Sequence, residues 1–92
     1  MISERIRDGE VAVIGLGRSG RAAALLLAQR GARVYASDDG TKAAVVEGAA
    51  ALTERGIAAQ TGGHDLARIA RAALVVVSPG VPPEAPALVV AR

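Results

Sequence analysis

Apolar residues run without a break at Val11-Ala-Val-Ile14 and again at Leu74-Val-Val-Val77. Each run is short, rich in β-branched residues and soon followed by glycine or proline. That pattern marks strands covered on both faces of a parallel sheet. Between them, Arg33 to Ser37 reads as a strand through Val34 and Tyr35, and Ile57 to Gln60 as a shorter one. The intervening stretches are built from helix formers. Ser19 to Arg30 predicts a first helix, with Gly31 as its C-terminal cap. Lys42 to Arg55 predicts a second, with Asp39 or Thr41 available as N-cap and Gly56 as its stop. Gly48 inside that helix costs about 1 kcal/mol against alanine. Asp65 to Arg71 reads as a short helix or helical turn, and a last helix begins near Glu84. Strand and helix thus alternate along the chain. The predicted class is α/β: a Rossmann-like three-layer α/β/α domain with a parallel sheet of about four strands and right-handed crossovers.

The 92 residues form one domain, 1–92. Such a chain buries only about 60–65% of its unfolded surface. It has no Phe or Trp and a single aromatic, Tyr35, so its core is built from Ala, Val, Leu and Ile. Density must come from close backbone approach. There is no cysteine, which excludes disulfides and thiolate metal sites. The net charge of +2 and the scattered arginines describe a solvated surface rather than a nucleic-acid face. No apolar run approaches the ~18 residues of a membrane span. Met1 to Glu10 is polar and does not read as a secretion signal. The expectation is a cytoplasmic protein with neither nucleic acid nor membrane as partner. A helix after the fourth strand ordinarily leads into another strand. The chain is therefore expected to be the N-terminal fragment of a longer multidomain protein.

The candidate chemistry lies where the strands end. The first runs into Gly15-Leu-Gly-Arg-Ser-Gly20, a G-x-G-x-x-G between a strand and a helix. Gly15 allows a sharp turn, Gly17 leaves room for phosphates beside the backbone, and Gly20 lets helix and strand pack closely. Amides at the helix start then face an anion with the helix dipole behind them. A tight strand–helix turn without a ligand is the plainer reading. Asp38 lies at the end of the second strand, with Asp39 beside it. A carboxylate there either holds a ribose or accepts from a base such as the N3–H of uracil. The structural alternative is that Asp38 or Asp39 only caps the next helix. Ser19 either caps its helix or donates to a diphosphate. Arg18 either screens a phosphate or is simply solvated. Ser78-Pro79-Gly80 either brings backbone against a ligand or merely stops the fourth strand. His64, the only histidine, has no second metal ligand nearby and reads as a loop or capping residue. If the strand order is 3-2-1-4, the three candidate loops share one rim.

Four segments together carry a family resemblance: Val13-Ile-Gly-Leu-Gly-Arg-Ser-Gly20, Gly31 to Asp38, Thr61-Gly-Gly-His64, and Val75-Val-Val-Ser-Pro-Gly-Val-Pro-Pro83. The chain resembles, over nearly its whole length, the N-terminal domain of the MurD family of Mur ligases. The glycine motif is shared with many dehydrogenases; the Ser-Pro-Gly-Val-Pro-Pro ending is far more specific. The resemblance implies a three-domain, ATP-dependent amide ligase that adds D-glutamate to UDP-N-acetylmuramoyl-L-alanine in peptidoglycan synthesis. It also implies that this domain holds the UDP part of that substrate. By position, Gly15, Leu16, Gly17, Arg18, Ser19 and Gly20 would form the UDP-binding turn, with Arg18 and Ser19 meeting the diphosphate. Asp38 would accept from the uracil ring, with Asp39 beside it, and Ser78 and Gly80 would lie near the uridine. Asp39 and Gly40 depart from the Thr and Arg of a familiar relative, so side-chain contacts there do not carry over. No cofactor is expected within this chain. ATP and Mg²⁺ are expected for the full-length enzyme, whose central and C-terminal domains are the other implied partners. The chain carries no G-x-x-x-x-G-K-[ST] loop and is expected to be inactive alone. The alternative is an NAD(P)-binding Rossmann domain of an oxidoreductase or regulatory protein.

Overall fold

A computed structural model describes residues 9–78. In chain order these form β1 (Glu10–Ile14), α1 (Arg18–Gln29), β2 (Arg33–Asp38), α2 (Ala43–Glu54), β3 (Ala58–Thr61), α3 (Leu66–Ala70) and β4 (Leu74–Val77). The four strands make one parallel sheet in the order β3-β2-β1-β4. Each expected element is present with ends shifted by a residue or so, except the helix expected near Glu84, which lies outside the described residues.

Period-two alternation explains why the central strands are apolar throughout. Val11 and Val13 of β1 join Val34 and Ala36 of β2 on one face, under Ala24 of α1 and Ala49 and Leu52 of α2. Ala12 and Ile14 point the other way and meet Tyr35 and Ile69 of α3. Helices therefore cover both faces, and the architecture is a three-layer, Rossmann-like α/β/α domain.

The two long helices end alike. Gly31 N–H donates to Ala28 C=O and Ala32 N–H to Leu27 C=O; Gly56 and Ile57 repeat this with Thr53 and Leu52. These paired bonds satisfy carbonyls the helix leaves open and aim the chain back into the sheet. The start of α2 departs from expectation. Its N-cap is Lys42, with no side-chain cap bond, so neither Asp39 nor Thr41 caps it. Asp38 does not cap it either, because its carboxylate is turned to other donors described below. Among the described residues no helix is long and apolar enough to cross a membrane.

Candidate functional site

Parallel strands place all four carboxyl ends on one rim. The order β3-β2-β1-β4 reverses direction between β1 and β4, and ligands of open α/β sheets bind outside the strands at such a switch point. Ser78 sits there, its N–H donating to Ile14 C=O at 2.9 Å, which brings the end of β4 beside the glycine turn.

The three motif glycines have different reasons to be glycine. Gly15 turns the chain at φ 101°, where a side chain would be strained. A Cβ on Gly20 would lie 1.8 Å from the Gly15 carbonyl oxygen, so α1 reaches the turn only because nothing is there. Gly17 is the exception. Its φ of −68° suits any residue, and among the described residues a Cβ there would meet nothing within 4 Å. No described neighbour asks for glycine at 17, and the space beside it is open to a ligand.

What faces that space is a row of donors. The first intrahelical bond of α1 runs from Arg21 N–H to Gly17 C=O at 2.9 Å. The amides of Arg18, Ser19 and Gly20 lie ahead of it and have no protein partner among the described residues. Gly17 is the N-cap, without a side-chain cap bond, so Ser19 does not cap α1. Ser19 and Arg18 are exposed. The first turn, Arg18-Ser-Gly-Arg21, carries two positive charges and no acid. That is the reverse of what the helix dipole favours, and it suits an anion from outside. A cleft of about 220 Å³ opens here, lined by Leu16, Gly17, Arg18, Arg21, Ala44 and Val45.

Asp38 ties this loop to the next. Its Oδ2 accepts from Leu16 N–H at 2.7 Å and its Oδ1 from Gly40 N–H at 2.7 Å. An ionised carboxylate has about four acceptor positions, so about two are left unfilled by the described residues. Asp38 is half-buried, whereas Asp39 is exposed. Nine of the expected site residues, Gly15 to Gly20, Asp38, Asp39 and Ser78, therefore gather on one rim; Gly80 lies outside the described residues.

One feature of the rim is not foreseeable from spacing. Ser37, fully buried, shares a 2.6 Å hydrogen bond between its Oγ and His64 Nδ1. Its carbonyl accepts from Gly15 N–H at 2.8 Å. The Thr61–His64 loop folds over the end of β2, with Gly62 N–H donating to Gly40 C=O and Gly63 N–H to Asp38 C=O. The available signal was a lone histidine after a glycine pair, which does not name a partner 27 residues away.

Larger hollows, of about 390 and 510 Å³, lie at the opposite end of the sheet. Both include Glu10 and Arg68, which already pair with each other at 2.7 Å. Size alone therefore does not select the rim; its donors unused among the described residues do.

Comparison with known proteins places the chain in a family. The family model described as Mur ligase MurD-like, N-terminal domain, matches residues 9–92. The chain is 48% identical over 87 residues to the UDP-N-acetylmuramoylalanine–D-glutamate ligase of Acidobacterium capsulatum, covering 95% of this chain and 19% of that protein. It is 42% identical over 92 residues to the same-named ligase of Anaeromyxobacter dehalogenans, covering 100% of this chain and 20% of the relative. With that of Chlorobium phaeobacteroides it shares 51% identity over 80 residues, 85% of this chain and 16% of the relative. The chain thus spans about a fifth of the length of the curated relatives it matches. A glycine turn shared with many nucleotide-binding folds leaves the lineage open, but a match running from Gly9 to Arg92 closes it: the chain belongs to the MurD-like N-terminal domain family of Mur ligases.

Proposed function

We propose that this chain is the UDP-binding domain of a ligase that joins D-glutamate to UDP-N-acetylmuramoyl-L-alanine. Gly17 carries the reading: it is a glycine that no described residue within 4 Å requires, set before amides without a partner among the described residues. The diphosphate lies against the amides of Arg18, Ser19 and Gly20, with the Ser19 hydroxyl as a further donor and Arg18 and Arg21 screening its charge. Uracil donates its N3–H to the acceptor positions of Asp38 left free by Leu16 and Gly40. Ser78 borders the uridine.

The ligase step belongs to the whole enzyme. ATP would phosphorylate the substrate carboxylate, and the amine of D-glutamate would displace phosphate. ATP, Mg²⁺ and D-glutamate would be held by central and C-terminal domains, so this chain alone binds without turning over. Half a cleft gives modest affinity. Charge-assisted bonds contribute about 1.5–3 kcal/mol each, while association costs about 4 kcal/mol or more. A Kd in the millimolar range follows, equivalent to about −4 kcal/mol.

Calorimetric titration of the chain with UDP, NAD⁺ and NADP⁺ tests the reading. UDP is expected to bind and the dinucleotides are not. Uptake of NAD⁺ without UDP would overturn it in favour of a dehydrogenase-type domain.

A further inference from the structure

We propose that His64 is a positioning residue for the uridine half of the ligand, a role that rests on the nucleotide reading above. The observation is a chain of bonds that begins at a fully buried hydroxyl and ends at the rim. Ser37 Oγ and His64 Nδ1 are 2.6 Å apart. With the imidazole proton on Nε2, the hydroxyl donates to Nδ1; with it on Nδ1, the ring donates to the hydroxyl. Either way the bond fixes the far end of the Thr61–His64 loop against β2. The same loop holds the next turn by two main-chain bonds, Gly63 N–H to Asp38 C=O at 3.3 Å and Gly62 N–H to Gly40 C=O at 3.1 Å. Asp38 and Gly63 form an isolated antiparallel bridge at that point. The turn so held presents the Asp38 carboxylate, which grips Leu16 N–H at 2.7 Å and orders the approach to the glycine loop.

Successive residues at the end of one strand thus divide the labour. Ser37 faces the α3 side with Tyr35 and anchors the 61–64 loop. Asp38 faces the other side and anchors the glycine turn. His64 touches no proposed ligand atom; it acts by keeping the 38–40 backbone where the carboxylate can serve a base. The diphosphate amides belong to α1, which makes no bond to the 61–64 loop among the described residues. Loss of His64 should therefore separate the two halves of the ligand. A merely structural histidine would not.

The test compares UDP with inorganic pyrophosphate by titration of the 92-residue chain, native and as His64→Leu, His64→Asn and Ser37→Ala. The leucine and Ser37→Ala variants should weaken UDP about tenfold, the loss of roughly one buried hydrogen bond, while pyrophosphate stays within about twofold. Asparagine, whose amide oxygen can accept where Nδ1 does, should return UDP to within about threefold of native. Exchange of the Leu16 and Gly40 amides should speed up about tenfold in the leucine variant, since exchange reports local opening. Parallel loss of both ligands, unchanged UDP binding, or unchanged exchange at Leu16 and Gly40 overturns the proposal. Native chain that takes up no UDP overturns the nucleotide reading itself. Native uptake with an indifferent leucine variant overturns only the role of His64.

Discussion

The two ends of the sheet solve the same problem in opposite ways. At the amino end, charged side chains satisfy each other. Arg68 Nε and Nη2 reach Glu10 Oε1 and Oε2, both at 2.7 Å, and the guanidinium lies 4.4 Å from the centre of the Tyr35 ring. The Tyr35 hydroxyl donates to Gln60 Oε1 and accepts from Asp65 N–H. At the carboxyl rim, side chains hold main chain instead. Asp38 takes the amides of Leu16 and Gly40, and the amides of 18–20 have no partner among the described residues. The amino end has the larger hollows and the rim has the open donors. The rim is the candidate site for the hydrogen-bonding capacity it leaves unused among the described residues, not for its volume.

The two outer glycines of α1's start offer the largest test of that contrast. Gly20→Ala sets a Cβ 1.8 Å from the Gly15 carbonyl oxygen and 2.8 Å from its carbon, backbone against backbone. The loss should be about 3 kcal/mol or more, at the top of the range for overpacking, read from urea unfolding. Gly17→Val, three residues earlier, should change stability by no more than about 1 kcal/mol, the cost of a poorer N-cap residue. It should nevertheless abolish UDP binding, because its side chain fills the space before the open amides. A valine variant that binds UDP like the native chain would make the rim an ordinary turn. An alanine variant at 20 with native stability would show that α1 can shift.

Asp38→Ala comes next. It frees two amides, of which Leu16's lies in the fold's interior; Leu16 is 2% exposed. Hydrogen bonds to a charged group contribute about 1.5–3 kcal/mol, so a loss near 2–3 kcal/mol in unfolding free energy is expected. UDP should weaken more than pyrophosphate. Equal weakening would assign Asp38 wholly to loop shape and remove it from the base.

How much of this was legible beforehand follows from the kind of signal each part sends. Apolar runs and glycine stops are local, so the four strands and the helix ends at Gly31 and Gly56 could be read from the chain, whereas the order 3-2-1-4 stood only as a condition until the structure supplied it. The glycine turn and Asp38 were legible because their spacing reflects one strand–helix–strand unit. What Asp38 does inside the fold was not. A carboxylate at a strand end reads equally as cap, base acceptor or ribose holder, and only the 2.7 Å bond to Leu16, 22 residues away, shows its internal work. Ser37 and His64 were missed for the same reason: a buried hydroxyl finds its partner through topology, which has no periodicity. The fork of Glu10 and Arg68, 58 residues apart, was likewise invisible.

Arg68→Ala probes the amino end. Its side chain is 37% exposed, so solvent screening reduces a two-bond fork and ring contact to about 1 kcal/mol in total. Ligand binding at the rim should not change; a loss of UDP affinity would show that the two ends are coupled. The hydrogen bonding of its guanidinium to the Glu10 carboxylate is the main cause that raises the Arg68 pKa above its ordinary value. A cation so raised gives its full contribution below its unfolded pKa and loses it only as pH climbs through the folded value. Arginine's ordinary value is already strongly alkaline, so the deficit of the alanine variant should not arise from Arg68 titrating anywhere near neutrality.

The smallest effect is expected at Gly48, and its sign is the informative part. This residue is buried in α2 where that helix passes the rim. A Cβ there would sit 3.5 Å from the Leu16 carbonyl oxygen and 3.7 Å from Arg21 Cδ, ordinary contact distances. Alanine therefore fits without moving the loop. Glycine inside a helix costs up to about 1 kcal/mol against alanine, so Gly48→Ala should stabilise the chain by a few tenths to about 1 kcal/mol. Gly20 and Gly48 are both buried glycines beside the same turn, yet substitution should harm one and help the other. Destabilisation at 48 would mean that α2 presses on the glycine loop as closely as α1 does. The cleft between them would then be narrower than its residues describe, and the rim would have less room for a nucleotide. A stabilised variant that still binds UDP would show that the space over Leu16 belongs to the ligand and not to the packing of α2.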